Sequence, residues 1–245
     1  MSSPYSNPYE PPSFGAVPAA LAAEEERSAF IRRTYAHLAG AIALFVALEV
    51  AIFHLVPAET LDSLMALLLG NRLGWLLVLG AFVLVGTLAS QAAASIESPA
   101  QQYLGLGVYV VAEAVVFVPL LYIASRLAPE AIPAAGILTL VMFGGLTTLV
   151  FITGSDLSGW GKYLWVAGLG ALGLIVCAIL LGISLGVWFS VAMIVLASAY
   201  ILYDTSNVLH QYRTDQHVAA ALALFASVAL LFWYALRLMM SLRRD

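Results

Sequence analysis

The chain has 245 residues, 62% of them hydrophobic and only 10% charged, where soluble globular chains carry about 45–50% apolar and about 25% charged residues. With a mean hydropathy of +0.97, there is more apolar surface than one water-surrounded core can hide, which excludes an ordinary soluble enzyme fold and makes the bilayer the solvent. The formal charge of -4, with Lys and Arg scattered in twos and threes, excludes a basic field able to grip nucleic-acid phosphates.

Residues 1–26 contain Pro4, Pro8, Pro11, Pro12 and Pro18 together with Ser, Tyr and the acidic run Glu24, Glu25, Glu26. Such a composition buries too little apolar area to offset chain entropy, and predicts a flexible, soluble tail. It has neither the basic start nor the short apolar stretch of a cleaved signal, so the first hydrophobic segment is expected to stay in the mature protein.

After Arg27, Arg32 and Arg33 the apolar runs follow one another, each of the ~20 residues that cross ~30 Å of hydrocarbon at ~1.5 Å per residue. Helices are predicted near 34–56, 73–95, 103–125, 131–153, 163–183, 187–209 and 218–240. They are separated by Pro57 with Glu59 and Asp62, by Glu97 with Pro99, by Pro129–Pro133, by Gly154–Gly161 and by His210–His217. The weakest division is between the fifth and sixth, where Trp165 to Tyr203 is nearly unbroken and only Gly182, Ser184 and Gly186 mark a turn. Backbone groups in lipid must be satisfied internally, and the missing alternation excludes a β-barrel, so the fold class is an all-α polytopic membrane bundle.

Arg27, Arg32 and Arg33 favour a cytoplasmic N-terminus, yet Arg237, Arg243 and Arg244 pull the C-terminus to the same side, which an odd number of crossings forbids. The loops barely break the tie, with Lys162 and Arg213 on the N-terminal side and Arg72 and Arg126 on the other. The preferred reading is N-terminus in and C-terminus out over seven crossings. Its rival has six crossings and a re-entrant last segment.

Ionisable residues within spans are the informative ones, because a charge at mid-bilayer costs roughly 2.5–3.5 kcal/mol on insertion scales and must face protein or water. Glu49, Glu113 and Asp204 are the candidates. Tyr200, Tyr203, Asp204, Asn207 and Gln211 recur at three- and four-residue steps and form one polar stripe on the sixth predicted helix. Asp204 is either a carboxylate on an aqueous path or an interfacial residue bonded to neighbouring hydroxyls. Glu113, one turn after Tyr109, favours a polar cavity, whereas Glu49, near His54 and a helix end, favours a structural role.

Other signals carry less. Gly168, Gly170 and Gly173 spell G-x-G-x-x-G, but inside an apolar helix with no preceding strand and no acid ~20 positions on, so no dinucleotide site is expected. His37, His54, His210 and His217 lack metal-ligand spacing, and the single Cys177 supports neither a disulfide nor a metal cage. No nucleophile elbow or phosphate loop is present, so neither catalysis nor a cofactor is expected.

The segment Phe30-Ile31-Arg32-Arg33-Thr34-Tyr35 entering the first span, the run Tyr200-Ile201-Leu202-Tyr203-Asp204-Thr205, and a closing helix ending Leu236-Arg237 together resemble the Bax inhibitor family of multi-pass membrane proteins, over residues 30–245. The resemblance implies a seven-helix bundle whose last helix runs through the middle. It also implies, from studied relatives, a pH-sensitive calcium leak controlled by two aspartates at the cytoplasmic end. The first maps onto Asp204. The second belongs in a stretch reading roughly Leu-Tyr-Leu-Asp, which aligns with Leu224-Phe225-Ala226-Ser227, so a serine stands where that carboxylate is expected.

Two nearby carboxylates can share a proton, whereas an acid beside a hydroxyl lacks that repulsion, so the paired latch does not carry over. Ser227 can bond Asp204, but it also falls on a small-residue line with Ala219 and Ala223 suited to close helix packing. The implied function is a slow cation leak, calcium being the expected ion, with Asp204 at its cytoplasmic mouth, Ser227, Tyr200 and Asn207 around it and Glu113 lining the cavity. The implied location is a bacterial inner membrane. The alternative is a non-transporting modulator of a membrane protease or stress-response complex, with the N-terminal tail supplying the contact.

Overall fold

The computed structural model of the chain describes residues 17–70, 72–95 and 98–242. Eight α-helices follow in order: α1 (Glu24–Leu55), α2 (Ala58–Leu69), α3 (Arg72–Ala93), α4 (Pro99–Leu127), α5 (Ala131–Thr153), α6 (Gly161–Leu181), α7 (Gly186–His210) and α8 (His217–Ser241). All but α2 are long and apolar enough to cross a membrane. Among the described residues there is no strand beyond one isolated bridge, Pro18 with Arg213.

The seven long helices match the seven predicted spans, with differences at the edges. α1 begins at Glu24 rather than near residue 34, so its first turns carry Glu24, Glu25 and Glu26, acids that suit the positive end of a helix dipole. The short α2 lies where Glu59 and Asp62 had been read as loop punctuation. At 12 residues it is too short to span, and its Leu61 and Met65 pack on Val118 of α4. The doubtful division between α6 and α7 is real: Gly182 takes a left-handed φ of 71°, and Ile183 N–H closes back on Ala178 O at 2.9 Å. Both are features of a glycine-terminated helix.

The bundle is organised around α8. Its most apolar stretch is 72% buried, while α3 and α6, equally apolar, are buried there to only 6% and 11% and turn their side chains to lipid. α8 packs against α1, α3, α4, α5 and α7. A helix apolar on every face and rich in alanine allows neighbours to close in all round, and Val218, Ala220, Ala221, Leu224, Leu231, Ala235 and Leu236 are sealed from solvent. Phe45, Phe117 and Phe225 form an aromatic contact joining α1, α4 and α8.

The contacts also fix which helix ends lie together. Val17–Ala22 is fastened to the loop after α7, with Ala19 N–H bonded to Tyr212 O at 2.8 Å and Thr214 N–H to Val17 O at 3.1 Å. Ala19 is completely buried. These residues lie within the stretch assigned by composition to the tail; residues 1–16 lie outside the described part. At the same end His37 of α1 meets Tyr103 of α4 and His217 of α8. At the opposite end Tyr122 and Arg126 of α4 hold Asp62 of α2. α8 therefore runs from one end of the bundle to the other as one unbroken helix, which removes the re-entrant alternative. The two ends are called here the N-terminal end and the far end.

The loop between α5 and α6 is tied to α7 by one hydroxyl. Ser206, completely buried, donates to Ser155 O at 3.0 Å and accepts from Leu157 N–H at 2.7 Å. Ser206→Ala leaves both backbone groups unpaired, and is expected to lower stability by about 1–2 kcal/mol, measured by thermal unfolding in detergent. In the same loop the backbone N–H of Ser158 on the exposed Asp156 holds that carboxyl below its ordinary range.

Candidate functional site

Asp204 lies in α7 near the N-terminal end, 8% exposed, and Ser227 of α8 donates its hydroxyl hydrogen to Asp204 Oδ2 at 2.5 Å. The two positions that the resemblance aligned with the family's acidic pair are thus in contact. Ser227 is also buried on the small-residue line of α8 with Ala219, so packing and hydrogen bonding are served by the same side chain. A carboxyl group held between helices by one neutral donor has strong reason to gain or lose a proton or a cation when water reaches it.

The polar stripe predicted on α7 does not face one way. Asp204 turns to α8, while Tyr200 turns to α6 and donates its hydroxyl hydrogen to Leu164 O at 2.8 Å. Tyr203 packs against Gly161, at the start of α6. Asn207, one turn beyond Asp204, is buried, and its backbone oxygen accepts from both Gln211 and Tyr212 N–H, closing the helix end. Tyr212 lies just past that end, and burial, reinforced by the negative charge of Asp204, raises its phenol above the ordinary range.

Glu113, for which a polar cavity was expected, lines a cavity whose walls are mainly apolar. The cavity has a volume of about 760 Å³, is bounded by α3, α4, α6, α7 and α8, and reaches the far end of the bundle at Arg237 and Ser241. Tyr200 also lines it, but Asp204 and Asn207 do not. Tyr109, one turn before Glu113 on α4, packs its ring against Phe82 of α3 and Phe225 of α8. The sequence-predicted residues therefore form two places, Asp204 with Ser227 towards the N-terminal end and Glu113 with Tyr200 at the cavity.

Several polar residues were not singled out by sequence. Tyr35 of α1, Thr147 of α5 and Thr205 of α7 bring three hydroxyls to one buried spot, none of them in ordinary hydrogen-bond geometry. Tyrosine and threonine are too common in membrane helices to stand out by type. Glu49, expected to have a structural role, is buried at 6% exposure, and neither carboxyl oxygen has a hydrogen-bond partner among the described residues. No group of three or more His, Cys, Asp and Glu side chains able to hold a metal occurs among the described residues.

Seven apolar crossings, the last of them central, with a carboxyl group enclosed between the last two, define a polytopic α-helical membrane protein with an intramembrane acid. The family model described as inhibitor of apoptosis-promoting Bax1 matches residues 27–244. The chain belongs to this Bax inhibitor family. A comparison with curated proteins gave no significant match.

Proposed function

We propose that the protein provides or regulates a slow cation leak across its membrane, with calcium the expected ion. The observation that carries this reading is the Ser227–Asp204 hydrogen bond, which places a buried acid between the central helix and its neighbour, close to the N-terminal end. Glu113 is a second acid, in a cavity reaching the far end. An ion passing between the two ends meets a carboxyl group in each half. In this reading Ser227 occupies the place of the family's second aspartate. The N-terminal end faces the cytoplasm of a bacterial inner membrane, and no catalytic step is involved.

Asp204 with a hydroxyl partner exchanges one proton, so its share of the pH response should be no steeper than one proton allows. The test is purified protein in liposomes, with flux of Ca²⁺ and other cations followed over a pH series. Flux above protein-free vesicles, with the part of its pH response that Asp204→Asn removes changing by at most about tenfold per pH unit, is the expected result. Flux equal to that of empty vesicles at every pH would overturn the reading.

A further inference from the structure

We infer that the cavity between α3, α4, α6, α7 and α8 is a binding site for a lipophilic organic cation, with Glu113 as the counter-charge and aromatic rings as the walls. The site does not rest on the leak: it stands on its own lining. Its volume of about 760 Å³ falls within the range of small-molecule sites, about 300–1,000 Å³. The walls are mainly apolar, and Trp75 of α3 and Trp233 of α8 stack within them, centroids 6.5 Å apart at 23°. Phe82, Tyr200 and Tyr234 add further rings.

One carboxyl group is set into this lining. Glu113 is 7% exposed, and its Oε2 is buried without a hydrogen-bond partner. A buried carboxyl group in the wall of an aromatic cavity, with one oxygen enclosed and unpartnered, is complementary to a positive charge carried on an apolar body. The alternatives fit less well. A small hydrated ion can pass Glu113 but gains nothing from the apolar walls that would hold it there, and an acyl chain would fill the space while leaving Glu113 unanswered. Arg237 is the cation in the lining and sits towards the far end, its guanidinium over the Tyr234 ring at 5.8 Å. It lies one turn beyond Trp233, which disposes the ligand's charge inward, towards Glu113 and away from that rim.

The probe is tetraphenylphosphonium, with triphenylphosphine oxide as its neutral counterpart, measured by equilibrium dialysis against the full chain in detergent at mildly alkaline pH. The phosphonium is expected to bind at a single class of site, and the oxide to bind at least about tenfold more weakly. Glu113→Gln should weaken phosphonium binding by at least about tenfold. Ala171→Phe, which fills the cavity from α6 without touching the acid, should weaken both ligands, and carries the test if Glu113→Gln fails to fold. Equal binding of the two ligands would overturn the proposal, as would phosphonium binding unchanged by either folded variant. A phospholipid retained equally by wild type and Glu113→Gln in native mass spectrometry, and not displaced by the phosphonium, would also overturn it.

Discussion

Asp204→Asn is expected to lower the calcium flux of reconstituted vesicles by at least about tenfold, with the protein still folded. The substitution keeps size and shape and can still accept the hydroxyl of Ser227, which bonds Asp204 at 2.5 Å. What it removes is the charge. In the low-dielectric space between α7 and α8 a carboxylate attracts a dehydrating cation far more strongly than a neutral amide does, so loss of charge acts on the ion and not on the packing. The control is the unfolding temperature, which should stay near that of the wild type. Flux identical at several pH values would remove Asp204 from the path. The converse substitution, Ser227→Asp, restores two facing carboxyl groups, which cannot both ionise cheaply at this separation. It is expected to make flux depend more steeply on pH than in the wild type, read from the same vesicles. An unchanged pH profile would show that the residue beside Asp204 does not set its titration.

The second large effect is structural. Gly105 sits where α4 crosses α3, and a Cβ added there would lie 2.4 Å from Ala89 O and 2.5 Å from Ala93 N. Those are backbone atoms of a packed helix, which cannot swing aside as a side chain can. Gly105→Val must push the two helices apart along their contact, and is expected to cost at least about 3 kcal/mol. The readout is loss of the monodisperse peak in detergent or a fall in unfolding temperature. Gly107, two residues on, has nothing within 4 Å of its would-be Cβ. Gly107→Ala should therefore be neutral or stabilising by up to about 1 kcal/mol, from helix propensity alone. Equal tolerance of both changes would mean that the close approach of α3 and α4 does not support the bundle.

The seven crossings were legible because the bilayer fixes their length and leaves Gly, Pro and charged residues to mark the gaps. The rule fails where a helix does not cross. α2 was missed because its 12 residues are too few to span and its Glu59 and Asp62 read as loop. The start of α1 was placed too late because Glu24–Arg27 is polar, and hydropathy does not detect helix that projects beyond the hydrocarbon. The fastening of Val17–Ala22 to residues 212–214 is a tertiary backbone contact, carried by no side-chain pattern.

At the site, Asp204 and Glu113 stood out because acids are rare in spans, and resemblance brought Ser227 to Asp204. The split of the α7 stripe between α6 and α8 depends on the neighbours that surround α7, which periodicity along one helix does not contain. Glu49 is the instructive case. Its position near a helix end suggested a structural role, and position alone did not show that α1 turns it into the protein, where its oxygens find no donor among the described residues.

The placement of α8 also governs how the molecule can be made. The five helices that pack on α8 all leave the ribosome before it, so Phe45 and Phe117 must wait beside lipid or beside one another until Phe225, Phe232 and Trp233 arrive. Early spans inserted in sequence form an unfilled ring, and final closure is a post-insertion event in which α8 takes its seat. Chains interrupted before His217 would be the species that quality-control proteases meet, because every inward surface built for α8 remains uncovered in them.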